Sequence, residues 1–265
     1  GALEREIDEL LAAAAPPPAA EPVALIAPHA GLMFSGGVAA HAYRAAAAAR
    51  PDVIVLVGPS HYVGFEGVAV VERGAFETPL GLVSIDEPLA TALLAASPLV
   101  RAYPQAHARE HSLEMQLPFL QRVLPGVPFV PLAIGWQERE TIVGLGDLLA
   151  RAAADRRPLL VASTDLSHYF DAETAERLDR RVADYVARFD PDGLLEYFES
   201  FPEAERGRYV ACGGGAAIAV MRAARALGAR DAHVLRYAHS GDVSGDRAAV
   251  VGYLAAAFSR GGHAH

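Results

Sequence analysis

The sequence predicts one α/β domain: an α/β/α sandwich around a mixed central sheet. Three observations predict it. Short apolar, β-branched runs alternate with helical patterns along the chain. One stretch, 64–86, has short strands and no room for a helix, which implies an antiparallel excursion in an otherwise parallel sheet. No repeat, charge block or low-complexity linker marks a second domain, so residues 1–265 read as a single unit.

The elements follow in order. Leu3, Ile7, Leu10 and Leu11 have helical spacing, and an N-terminal helix is expected over 1–15. The prolines of 16–22 end it and form a short stiff linker. Strands are expected at Val23–Ala27, Val53–Val57, Val68–Val71, Val127–Ile134, Leu159–Ser163, His233–Ala238 and Ala248–Leu254. Helices are expected over 36–49, 87–96, 112–124, 138–154, 172–188, 191–200 and 214–227. Residues 258–265, with His263 and His265, read as a frayed tail.

Composition excludes several function classes. The 265 residues are 52% hydrophobic and 21% charged, enough for a core that needs neither disulfide nor metal to fold. Acidic residues outnumber basic ones 32 to 23, for a formal charge of −9. That argues against nucleic-acid binding and against docking on an anionic membrane. Every basic residue is arginine, so a Schiff-base lysine and a phosphate-loop lysine are excluded. The single cysteine, Cys212, and an acidic N-terminal stretch lead to the expectation of a reducing, cytoplasmic location.

Polar residues gather where the apolar runs stop. His29 follows the first run, His61 the second, Asp165 and His168 follow Leu159–Ser163, and His239, Ser240 and Asp242 follow His233–Ala238. Sites in open α/β sheets form outside the carboxyl ends of strands. Taken singly, His29 and His61 also fit as helix caps, and Asp242 and Asp246 as turn formers. Cys212 stands between Tyr209–Ala211 and Gly213–Gly215, where a strand-to-helix turn is expected to lower its pKa. There is no G-x-G-x-x-G, phosphate loop, G-x-S-x-G or H-E-x-x-H.

Several motifs run in order from about residue 22 to 257. They are PHAG at 28–31, GPSH at 58–61, TPLG at 78–81, EHSLEMQLPFL at 110–120, STDLSHY at 163–169, Cys212-Gly213, and SGD at 240–242 with VVGY at 250–253. The set resembles the Memo family, called AmmeMemoRadiSam system protein B in bacteria and archaea. The resemblance implies a fold similar to class III extradiol dioxygenases. It implies metal positions at His29, His61 and Cys212, with Asp165 and His168 catalytic, and Glu110, His111, Ser240 and Asp242 in the same pocket. The chain departs from the family at Leu32, where a tyrosine is usual, and carries a thiol where the dioxygenases have a carboxylate.

Two imidazoles and a thiolate suit one transition metal ion: Fe(II) or copper, with zinc also allowed. Three ligands leave open coordination positions. The expected function is metal-dependent redox chemistry on an unknown small molecule or peptide, with His168 as acid/base. The competing readings are a non-enzymatic partner-binding cleft and a zinc hydrolase. The resemblance also suggests a radical-SAM protein and an AMMECR-type protein as partners.

Overall fold

A computed structural model of the chain describes residues 1–17 and 20–261; His263 and His265 lie outside the described residues. The helices are α1 (Ala2–Ala13), α2 (Gly37–Ala46), α3 (Glu87–Ala96), α4 (Leu117–Val123), α5 (Arg139–Ala152), α6 (Ala172–Ala187), α7 (Pro191–Glu199), α8 (Glu203–Tyr209), α9 (Gly214–Ala226) and α10 (Gly241–Ser244). The strands are β1 (Pro22–Ala27), β2 (Val53–Pro59), β3 (Val68–Val70), β4 (Ala75–Thr78), β5 (Gly81–Ser84), β6 (Val100–Ala102), β7 (Phe129–Ile134), β8 (Pro158–Ser163), β9 (His168–Phe170), β10 (Asp231–His239) and β11 (Val250–Ser259).

The main sheet runs β10-β11-β1-β8-β2-β7-β3-β6, with β9 paired to β11 off that path. Its centre, β1-β8-β2-β7, is parallel, and β11, β10 and β3 join antiparallel. The sheet is therefore mixed, as expected. All residues of β1, β2, β7 and β8 are buried, because helices cover both faces. The excursion at 64–86 divides in two. β3 joins the main sheet, and β4–β5 form a separate hairpin turned by Pro79-Leu80, with Gly81 at φ +113°.

Caps and prolines set several helix starts. Asp86, Asp171 and Asp190 each accept the backbone N–H three residues on, opening α3, α6 and α7. Pro118 holds α4 to a start at Leu117, later than the expected 112, after a 3₁₀ turn. Instead of entering α2 directly, the chain passes from β1 through a π-helical turn, Leu32–Gly36. At Gly36 a Cβ would sit 2.9 Å from Leu10 Cδ1, so glycine lets α1 seat closely here. β11 continues to Ser259, so Phe258 and Ser259 are strand residues rather than tail. Among the described residues, no helix is long and apolar enough to cross a membrane.

Candidate functional site

The parallel strands end in register: Ala27 of β1 lies opposite Ser163 of β8, and Val57 of β2 opposite Ala162. The chain then delivers a polar side chain two residues past each strand: His29 after Ala27, His61 after Pro59, Asp165 after Ser163. All three line one open cavity of about 520 Å³ with His111, His168 and Cys212. Cys212 arrives differently from the expectation. It sits in the joint between α8 and α9, because residues 203–209 are helical and no strand precedes it.

Two groups of ligating atoms lie within 4.8 Å of one another: His29, His61 and His111, and His29, Asp165 and Cys212. His29 belongs to both. His61 and Cys212 fall in different groups, so the expected set of His29, His61 and Cys212 does not close as one group: His111 joins His29 and His61, and Asp165 joins His29 and Cys212. The three imidazole centroids are 5.0 to 5.5 Å apart.

The hydrogen bonds behind these rings fix their tautomers. Glu110 Oε1 accepts from His61 Nδ1 at 2.8 Å, and a carboxylate only accepts, so Nδ1 carries the proton. Ser163 Oγ donates its one proton to the Ser112 carbonyl at 2.5 Å. It therefore accepts from His29 Nδ1 at 2.9 Å and from Gln116 Nε2 at 2.8 Å. Tyr43 donates to Gln116 Oε1 at 2.6 Å and so sets the amide's orientation. His168 Nδ1 donates to the Leu166 carbonyl at 2.7 Å. With Nδ1 donating in each ring, Nε2 is left as the acceptor side, the form a metal ligand or proton acceptor needs.

The electrostatics agree. Burial, then the neighbouring His61 and His111, hold His29 well below the usual histidine range. Burial also lowers His168 and raises Asp165, whose Oδ1 accepts the His29 amide at 2.8 Å. Burial opposes charge on Glu110 too. Hydrogen bonds from the His61 ring and amide and from the Ser112 amide outweigh it and hold the carboxyl at about 2. Burial, then the charge of Asp165, push the Cys212 thiol up, against the lowering expected from a helix start. That thiol lies 3.3 Å from His29 Nε2 and donates to it.

The donor set fits a transition metal ion. The buried His29 imidazole converges with those of His61 and His111 at the cavity face, with a thiol and with a buried carboxyl, and a cation can satisfy them together. His29, His61, His111, Asp165 and Cys212 thus form a possible metal-binding site.

Other expected residues take supporting or separate places. Glu110 lies behind His61, buried, rather than on the cavity wall. Ser240 accepts the Val251 amide, and Asp242 accepts the His239 amide and faces a different cavity beside Glu176 and Tyr237. The sequence reading missed Ser163, Gln116, Tyr169 and Arg208. The first three lie inside quoted motifs, but the role of Ser163 and Gln116 depends on contacts between distant segments. Arg208 lies on α8, which buries no side chain and so shows no hydrophobic periodicity.

A family model described as "Memo-like protein" matches residues 1–257. A MEMO1 family protein of Methanopyrus kandleri is 40% identical over 241 residues, covering 89% of this chain and 83% of its own. Another, from Methanothermobacter thermautotrophicus, is 39% identical over 232 residues, covering 86% and 82%. The crystal structure of an uncharacterized Escherichia coli protein shares the fold at a TM-score of 0.55 and 16% identity, covering 87% of this chain and 98% of that one. The chain belongs to the Memo family.

Proposed function

We propose that this protein is a metal-dependent redox enzyme whose substrate, a small molecule or peptide, enters the cavity over the imidazole cluster. One observation carries the reading: three imidazoles, a thiol and a buried carboxyl converge in a single open cavity. His29, His61 and Cys212 would hold iron or copper, with His111 and Asp165 adjacent. The bound ion would supply electron transfer and O₂ activation. His168 would move a proton at Nε2, because the Leu166 carbonyl occupies its Nδ1–H. Asp165 orients His29 through its backbone amide.

The test is elemental analysis of tag-free protein purified anaerobically, followed by O₂-uptake assays. Stoichiometric iron or copper with O₂ consumption is the expected result, and His168→Ala should keep the metal and lose turnover. Zinc alone with ester or amide turnover would make it a hydrolase. Absence of metal, with partner binding intact in Cys212→Ala, would make it an interaction protein.

A further inference from the structure

The cavity that holds the imidazoles also carries one permanent cation. Arg208, at the end of α8, lines it, and no other arginine does among the described residues. Its guanidinium lies 4.7 Å from the Phe170 ring centroid and 5.9 Å from that of Tyr209. Two aromatic faces therefore shelve the charge and limit its wandering. Arg208 has no carboxylate partner among the described residues, as is true of Arg101 and several other arginines; what sets it apart is its place on this cavity. In a chain of net charge −9, an unpaired cation at a cavity is not a by-product of a basic surface.

The surroundings leave that charge available. Two backbone amides, of His29 and Ala30, already occupy Asp165 Oδ1. Beside Arg208 stands Tyr169, 67% exposed and held at φ +64°, a conformation a tyrosine rarely adopts. With Val251 it gives the cavity an apolar wall.

We infer that Arg208 anchors an anionic group of the substrate, a carboxylate or phosphate carried on a flat apolar or aromatic body. The guanidinium fork matches two oxygens of either anion, and the Tyr169 side supplies surface for the body. This inference rests on the reading of the cavity as a substrate site. It names the class of molecule that enters it.

The probes are benzoate, phenyl phosphate and neutral benzyl alcohol. Each is titrated into the full chain, metal-free after chelation and again after Zn(II) loading, with the arginine Nε–Hε resonances followed by NMR. At least one anion should bind both forms more tightly than benzyl alcohol and shift the Arg208 resonance. Which anion saturates identifies the group recognised. Arg208→Gln should weaken that anion by about tenfold or more, the worth of one charged hydrogen bond, and leave benzyl alcohol unchanged. Arg101→Gln is the control: Arg101 also lies over two aromatic rings, Phe65 and Tyr103, but lines a different cavity. It should change nothing.

Anions binding no better than benzyl alcohol would overturn the inference. So would anion binding that survives Arg208→Gln, or that needs the metal and ignores Arg208. Failure of the redox reading would appear elsewhere, as absence of stoichiometric iron or copper, and would leave the metal-free titration intact.

Discussion

Ser163→Ala tests the hydrogen-bond relay behind His29. Ser163 is fully buried, and its hydroxyl serves three partners: the Ser112 carbonyl, His29 Nδ1 and Gln116 Nε2. Gln116 keeps a second acceptor, the Pro28 carbonyl at 3.0 Å, so its loss is partial. Two groups are left buried and unpaired, the Ser112 C=O and the His29 Nδ1–H. At about 1–3 kcal/mol for each orphaned group, the variant should lose about 2–6 kcal/mol of stability. The freed imidazole can then move its proton to Nε2, which removes the lone pair from the cavity. Zn(II) affinity should fall by about 10–100-fold, as for other partners behind metal-bound histidines.

Urea denaturation measures the first effect and competitive chelator titration the second. Imidazole ¹⁵N shifts of the metal-free wild type read the tautomer directly. A pyridine-type Nδ1 on His29 would refute the relay, and so would wild-type zinc affinity in Ser163→Ala.

Three further outcomes are expected. Glu110→Gln sets an amide NH₂ against N–H donors, since Oε2 accepts the His61 amide and Oε1 accepts His61 Nδ1 and the His111 and Ser112 amides; it should cost about 2–4 kcal/mol. Glu110's folded pKa of about 2 lies below its ordinary 4.5, so wild type gains from it above pH 4.5 and loses that gain as pH falls toward 2; acid titrations of Glu110→Gln should show a flatter slope there. Gly252→Ala drives a Cβ to 1.9 Å from Asp179 Oδ2, on a carboxylate held by Ser167 N–H at Oδ1 and Tyr237 O–H at Oδ2; thermal melts should show a loss of about 3 kcal/mol, and an unchanged melting temperature would contradict the geometry. Cys212→Ser should lose most Zn(II) and Cu(I) affinity while keeping the fold, and Cys212→Glu should shift preference toward Fe(II); wild-type metal titrations in either variant would remove the thiol from the site.

The strands and most of the helices were legible because burial on both sheet faces writes continuous apolar runs into the sequence. The same signal placed His29, His61 and Asp165, since a polar residue just past such a run stands at the sheet's rim. It misplaced Asp242 for a definable reason. His239 does end a strand, but β10 lies two strands from β1, and lateral order is not written in any local pattern. Glu110 and Gln116 could be seen as part of a motif and not as supports. Their partners, His61 and Ser163, are 49 and 47 residues away. The short α8 left no periodic trace, and the only arginine on the cavity wall among the described residues went unseen with it.

Cys212 shows how a correct residue can follow from an incomplete physical argument. A helix does begin beside it, and free N–H groups at a helix start would stabilise a thiolate. Here those groups are committed elsewhere: Gly213 N–H donates to Thr164 Oγ1 at 2.8 Å, and Gly215 N–H to Gln137 Oε1 at 2.7 Å. The sulfur receives the Asp165 amide at 3.3 Å, and burial beside Asp165 outweighs it. The thiol proton instead serves the His29 Nε2 lone pair. Cys212 and His29 thus satisfy each other without a cation, and a metal must displace that proton to gain both ligands. Metal uptake by this pair is therefore coupled to release of one proton. Its affinity should rise about tenfold for each pH unit while the thiol remains protonated in the metal-free protein.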